Sequence, residues 1–328
     1  MIVAITGASG HVGANLVRRL LADGHTCRVL VRRDERALAG LNIERFAGDV
    51  LDPSSLAAAF SGAERVFHLA ALISVVGDPD GAVARTNVVG PRNVVAACRQ
   101  AGVRRLVHFS SIHAYSQSPL DQILDETRPH VDAARAYAYD GSKAAGEREV
   151  LAGVAQGLDA VIVNPTAVLG PQDFKPSRMG QILLDLYHRR LPALVDGGFD
   201  WVDARDVADG AWRAAERGRT GEKYLLGGHW ASVRELATLA QDVTGVPAPR
   251  FDTPMPLARL AAPFAFAFSR WTGRTALFTP ESLGALRANR RISHDKATRE
   301  LGYAPRPLAE TVRDAYAWFR AAGLLEAK

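Results

Sequence analysis

The sequence predicts an α/β protein: a doubly wound parallel sheet with a smaller mixed α/β region at its C-terminal side. Three observations predict it. Apolar strand-like runs alternate with helical patterns over the first 165 residues. A glycine-rich turn directly follows the first run. The alternation stops after Pro165, where Pro, Gly and polar residues take over. Strands alternating with helices form βαβ units, whose parallel sheet is covered on both faces.

In chain order the strand runs are "MIVAIT" (1–6), "TCRVLV" (26–31), "IERFAG" (43–48), "RVFHLAA" (65–71), "RLVHFSS" (105–111) and "AVIVNP" (160–165). Between them lie the helical patterns "ANLVRRLLADG", "SSLAAAFSG", "VVGPRNVVAACRQAG" and "SKAAGEREVLAGVAQG". Gly24, Gly62, Gly102 and Gly157 follow apolar stripes and read as helix stops. "TAVLGPQDFKPSRMGQ" reads as a loop leading into a helix near 177–190. Strand-like pieces follow at 193–202 and 223–227, and helices fit 204–218, 232–245, 280–288 and 308–322. The larger domain is expected at 1–165, with 195–222 returning to it. Residues 166–194 and 223–328 are expected to form the smaller substrate domain, a lid over the sheet's carboxyl end. "PLARLAAPFAFAFSRWTG" is short and interrupted by Pro263, and is expected to line an apolar pocket rather than enter a membrane.

Composition excludes several classes. Of 328 residues 48% are hydrophobic and 23% charged, ordinary for a soluble globular chain. No run of 18 apolar residues occurs, and the first strand begins where a signal peptide would stand, so a cytoplasmic protein is expected. The formal charge is +5, but arginines are mixed with acids, as in "RRDERALAGLNIERFAGD". That pattern argues for a solvated surface, not a nucleic-acid face. Cys27 and Cys98 lie on apolar stripes and are expected as buried thiols, with no metal cluster in sight.

The turn reads T-G-x-x-G-x-x-G, with Gly7, Gly10 and Gly13. Glycines there permit a tight turn and let backbone approach a pyrophosphate, while the helix N-terminus offers free N–H groups. Ser9, His11 and Val12 complete the turn. The second strand ends in Arg32 and Arg33, then Asp34 and Glu35. Arginine at that position pairs with a 2′-phosphate and favours NADP; the acids keep NAD open. Asp49, followed by Val50, is placed to accept from an adenine amino group. Leu69, Ala70 and Ala71 end the fourth strand, where small residues let backbone lie against a cofactor.

Among seven tyrosines only Tyr139 has a lysine four residues on, Lys143. The pair shares a helical face. A nearby ammonium is expected to lower the phenol from its usual value near 10, making a proton donor. Ser110 and Ser111 stand at the carboxyl end of the fifth strand, where ligands bind in open α/β sheets.

"TGASGHVG", "GDVLDP", "HLAA", "SSIHAY", "YDGSK" and "NPTAVLGP", in this order, resemble the extended short-chain dehydrogenase/reductase superfamily. The C-terminal "ISHDKATRELGYAPRPLAETVRDAYAWF" extends the likeness almost end to end. Within the superfamily the chain looks most like the dihydroflavonol-reductase-like branch. The resemblance implies a Rossmann domain and a Ser–Tyr–Lys triad of Ser111, Tyr139 and Lys143. Ser111 is preferred to Ser110 because it stands four residues before Tyr115. Asn87 matches a position that supports the site; Asn164, Pro165 and Thr166 match a strip against the nicotinamide. Ile73, His113, Thr166 and Val168 are expected on the substrate side. Relatives often pair the two helices "VVGPRNVVAACRQAG" and "SKAAGEREVLAGVAQG", so a homodimer is expected here, with a monomer as the alternative.

Departures narrow the expectation. Ile112 and His113 stand where dehydratases carry Asp and Glu. Phe199 and Asp203 stand where nucleotide-sugar epimerases carry Arg and His, although Arg270, Arg274, Arg290 and Arg291 remain as a candidate clamp. The expected function is NADP-dependent reduction of a small, fairly apolar carbonyl, or its reverse. The alternatives are an NAD-dependent epimerase and a non-catalytic nicotinamide-binding regulator.

Overall fold

The computed structural model describes residues 1–132, 134–260 and 280–326. Most of the apolar stretch 256–273, with Arg270 and Arg274, lies outside them. Five strands and their helices open the chain: β1 (Ile2–Thr6), α1 (His11–Ala22), β2 (Thr26–Val31), β3 (Glu44–Ala47), α2 (Pro53–Phe60), β4 (Arg65–His68), a short α3 (Ala82–Ala84), α4 (Gly90–Gln100) and β5 (Arg105–Phe109). Then come α5 (Ala138–Ala155), β6 (Ala160–Pro165), β7 (Ala167–Leu169), α6 (Arg178–Tyr187), β8 (Leu194–Val195), β9 (Gly198–Asp203) and α7 (Ala204–Arg217). The remainder is β10 (Lys223–Leu226), β11 (His229–Ser232), α8 (Val233–Thr244), β12 (Asp252–Thr253), α9 (Pro280–Ala285), α10 (Asp295–Leu301) and α11 (Leu308–Ala321).

Seven strands form one sheet in the order β3-β2-β1-β4-β5-β6-β10, all parallel. The order reverses between β1 and β4, and that reversal opens a crevice at the carboxyl ends. The two-residue period of each strand sorts its side chains. Val3, Ile5, Val29, Phe67, Val107 and Val161 face the layer of α1 and α7. Ala4, Val66, Leu106 and Ile162 face Leu56, Val94, Cys98 and Val150 of α2, α4 and α5. Gly24, Gly62, Gly102 and Gly157 end their helices with φ between 65° and 93°, as their positions after apolar stripes predict. Both cysteines are buried free thiols.

A second apolar cluster joins Leu169, Leu183, Trp201, Val233, Leu236, Val312, Tyr316 and Phe319, drawn from β7, α6, β9, α8 and α11. Three differences from the sequence reading stand out. Residues from 223 onward were expected in the smaller region, yet Lys223–Leu226 pair with β6 as the seventh strand. Of the returning stretch 195–222, α7 packs on the large sheet, but β9 joins a small sheet in the order β11-β9-β7. The expected loop after Pro165 contains β7, which pairs with β9 in parallel. Three residues are too few to show a period, and the Pro and Gly that follow masked them.

Among the described residues no helix is long and apolar enough to cross a membrane. The apolar residues of α4 and α5, including Val94, Val95, Cys98 and Val150, are buried in the chain's own core. Arg92 and Glu149 pair on the outward face of these helices, Nη2 to Oε1 at 2.7 Å.

Phe319 is fully buried in the second cluster, edge-on to Tyr316 and Trp318. Phe319→Ala is expected to lower stability by about 3–5 kcal/mol, the cost of a large core truncation. Urea unfolding followed by intrinsic fluorescence measures it.

Candidate active site

The β1–α1 turn is shaped by contacts the chain makes with itself. Gly7 has φ of 72°, and a Cβ there would sit 2.6 Å from the Ala70 nitrogen. A Cβ on Gly13 would collide with the Gly7 carbonyl. These two glycines pull the turn against the "HLAA" segment and the start of α1. Gly10 differs: it is exposed, and its Cβ would meet only the Gly7 oxygen, at 3.3 Å. Gly10 is the N-cap of α1 and no side chain caps the helix; no acid stands in its first turn. Its free N–H groups and positive potential suit a pyrophosphate. The His11 ring is occupied elsewhere. Its Nε2 donates to the carbonyls of Gly170 and Pro171, at 3.2 and 3.0 Å, tying α1 to the segment after β7.

At the end of β2 the acids are engaged and the arginines stand forward. Arg36 forks onto both oxygens of Asp34, at 3.0 and 2.7 Å, and holds its carboxyl down at about 2. Arg45 donates to Glu35 at 3.0 Å. Arg32 and Arg33 are exposed, and Arg32 reaches Asp49 at 3.5 Å. Asp49 also accepts from the Leu51 N–H at 3.0 Å, so part of its carboxylate holds its own turn. Val50 is buried behind it.

At the carboxyl end of β5, Ser111 is nearly buried and caps a 3₁₀ turn, accepting from the His113 N–H at 3.2 Å. Tyr139, in the first turn of α5, lies near enough for the Ser111 hydroxyl to favour its ionised form. One turn on, the buried Lys143 donates from Nζ to the Phe109 carbonyl at 2.7 Å. Ser111, Tyr139 and Lys143 thus lie near one another where β5 ends and α5 begins. The electrostatics differ from expectation. Burial pushes the Tyr139 phenol up to about 12; the Ser111 hydroxyl lowers it and Asp140 raises it. Lys143 does not draw the phenol down in this arrangement. Burial brings Lys143 itself down to about 8, with Glu147 raising it.

Asn87 lies in a π-helical turn, Arg85–Val89, between α3 and α4. Its amide donates to the Leu72 carbonyl and the Ser142 hydroxyl, both at 2.9 Å, and accepts from the Leu72 N–H at 2.8 Å. Gly146 makes this approach feasible, since a Cβ there would collide with the Asn87 carbonyl. Asn87 therefore braces the segment after β4 against α5 from beneath. Asn164 is fully buried, and its Nδ2 donates to the Ser111 carbonyl at 3.1 Å and to Glu147 at 2.6 Å. Expected as a cofactor contact, it turns its amide inward; only its main chain is left for that role. Thr166 and Val168 are half-buried and Ile73 is exposed. His113 lies 3.1 Å from Asp140 and edge-on to Tyr139.

The sequence reading missed a polar layer beneath these residues. Thr6, His68 and His108 lie side by side on β1, β4 and β5, with Thr6 Oγ1 2.7 Å from His68 Nδ1. Burial takes His68 down to about 3. Glu147, His130 and Lys223 continue the layer. Polar residues within apolar strand runs, and an acid one turn beyond Lys143, were the available signals.

A family model described as the NAD dependent epimerase/dehydratase family matches residues 3–227. The chain belongs to that family, within the extended short-chain dehydrogenase/reductases. It is 38% identical over 336 residues to sterol demethylase protein B of Methylococcus capsulatus, spanning 99% of this chain and 100% of that one. It is 35% identical to a putative dihydroflavonol 4-reductase of Synechocystis, spanning 98% and 95%. The crystal structure of gox2253 superposes with a TM-score of 0.86 at 37% identity over 99% of both chains. Family membership and the Gly10 turn together make this an NAD(P)-binding protein of oxidoreductase or epimerase type.

Gly10→Ala adds a methyl at the mouth of the turn with one tight backbone contact, 3.3 Å from the Gly7 oxygen, which a small shift relieves. Cofactor affinity is expected to fall about tenfold or more (~1.4 kcal/mol) while the melting temperature stays close to that of the parent. Fluorescence titration with NADPH and a thermal scan measure the two.

Proposed function

We propose that the protein is an NADP-dependent oxidoreductase that reduces a small, fairly apolar ketone or aldehyde to an alcohol, or runs the reverse. The placing of Ser111 at the carboxyl end of β5 near Tyr139, with the buried Lys143 one turn further along α5, carries this reading. The nicotinamide cofactor, when bound, supplies the hydride for reduction and accepts it in the reverse direction. The N-terminus of α1 at Gly10 would hold its pyrophosphate, and Lys143 a ribose hydroxyl. Ser111 donates a hydrogen bond to the substrate oxygen. Tyr139 delivers the proton as that oxygen becomes an alkoxide, so its contribution is made in the transition state. A phenol near 12 keeps its proton throughout the neutral range.

Two observations support an apolar carbonyl over a sugar diphosphate. Phe199 packs edge-on against Trp201, and Asp203 is occupied by Arg205 at 2.7 Å. Arg291 donates to the Asp121 carbonyl and Arg290 lies over the Trp230 ring. The names of two relatives, sterol and dihydroflavonol proteins, point to substrates of the same apolar kind.

Tyr139→Phe is expected to lower turnover by about a thousandfold, within the usual range for general acid catalysis, and to leave NADPH binding intact. Tyr137→Phe, exposed and without a lysine one turn on, is the control and should change little. Cofactor oxidation over a carbonyl panel, with NADPH titration of each variant, is the measurement. Net cofactor turnover that Tyr139→Phe leaves untouched would overturn the assignment; no net turnover of added cofactor with any carbonyl would favour the epimerase.

Cofactor choice follows from the end of β2. Arg32→Ser is expected to weaken NADPH about tenfold and leave NADH unchanged, a modest loss because the pairing is exposed. Equal effects on both cofactors would remove Arg32 from the phosphate site.

Turnover in the reducing direction should be flat below about pH 8 and fall above it, as the Lys143 ammonium loses its proton. A pH–rate profile between 6 and ~10 checks the sign.

A further inference from the structure

Glu147 is fully buried on α5, one turn beyond Lys143 and two beyond Tyr139. One carboxylate oxygen accepts from Asn164 Nδ2 at 2.6 Å. The other lies 2.7 Å from His130 Nε2, which must carry the proton because an ionised carboxylate only accepts. Lys223 of β10 approaches the same oxygen at 3.7 Å. Asn164 passes the contact on: its Nδ2 also donates to the Ser111 carbonyl at 3.1 Å, and its Oδ1 accepts from Tyr115 at 3.5 Å. Ser110 of the β5 end completes the surroundings of the carboxylate. Lys143 is faced across the sheet by His68 and His108, both kept neutral by burial.

A glutamine keeps the side chain's size and one acceptor oxygen, for Asn164 or His130, while removing the charge. Only a carboxylate puts a negative charge one helical turn from Lys143. An isolated ion at such depth costs several kcal/mol unless paired, so its partners make the charge sustainable.

We propose that Glu147 is a positioning residue for the reaction: its buried charge keeps Lys143 an ammonium, and its bond to Asn164 fixes the main chain at Ser111. The proposal rests on the oxidoreductase reading above for its catalytic consequence. His130, one-fifth exposed on the segment that pairs with Tyr115, links the buried carboxylate to the surface.

The test titrates Lys143 directly, by NMR of its side-chain Cε and Nζ in the full-length protein, assigned with Lys143→Met. In Glu147→Gln the midpoint should fall by about one pH unit, a tenfold change in acid dissociation constant. Lys223→Met removes a competing cation, keeps packing over Tyr115, and should move the midpoint upward. The fall in Glu147→Gln separates charge from architecture, because a merely structural Glu147 leaves that midpoint in place. Where turnover is measurable, the alkaline limb of the pH–rate profile should shift in the same two directions. An unchanged midpoint in folded Glu147→Gln overturns the proposal. If that variant does not fold, a midpoint that stays or falls in Lys223→Met overturns it. Should the midpoints move as stated while the parent reduces no carbonyl, the oxidoreductase reading fails and the electrostatic role of Glu147 stands.

Discussion

Helix α5 carries a lysine and a glutamate into the interior, and its surroundings are arranged around that constraint. A buried charge is tolerated only when paired and hydrogen-bonded. Lys143 is met by the Phe109 carbonyl, and Glu147 by Asn164 and His130. The short contacts need α5 close to its neighbours. Gly146 lets the Asn87 carbonyl approach, and a Cβ on Gly153 would collide with Val95. The small residues and the charged residues of α5 are therefore one design: the first set brings the helix near enough for the second to find partners.

The same closeness organises the substrate side. Asn87 holds both main-chain groups of Leu72 and the Ser142 hydroxyl, so the segment after β4 and the helix that carries Lys143 move as one. On the other side of the strand-order reversal, Gly7 abuts Ala70. The segment 69–72 is thus clamped from the β1 turn and from α5 at once. π-helical turns recur at functional sites because the extra residue re-aims a side chain; here the turn at Arg85–Val89 aims Asn87 inward.

Much of this was legible in the sequence, and the limits have physical causes. The strands of the large sheet follow from apolar runs of four to six residues and the turn from its glycines, because both signals are local. The positions of Ser111 at a strand end and of Tyr139 and Lys143 on one helical face were legible because strand-end position and i,i+4 spacing are also local. The sheet partner of Lys223–Leu226 was not legible, since pairing with β6 joins residues about sixty apart and "KYLL" fits either region. Nor was the inward turn of Asn164: a strand-end amide has the same spacing whether it faces a cofactor or a buried glutamate. The Tyr139 phenol was misjudged for a related reason. Spacing shows an ammonium one turn away; it does not show that burial, rather than that ammonium, sets the phenol.

That outcome bears on what the site is for. A protein that only binds a nicotinamide needs the turn at Gly10 and little else. A phenol held protonated by burial, near a serine at the carboxyl end of β5, adds nothing to holding a cofactor. A lysine near 8 is a fragile cation, and a counter-charge one turn away is itself held by Asn164 and His130. Each of these groups costs desolvation that an apolar residue would avoid. The arrangement is intelligible when the phenol must release a proton and recover it, and it is unnecessary when the chain merely senses a cofactor.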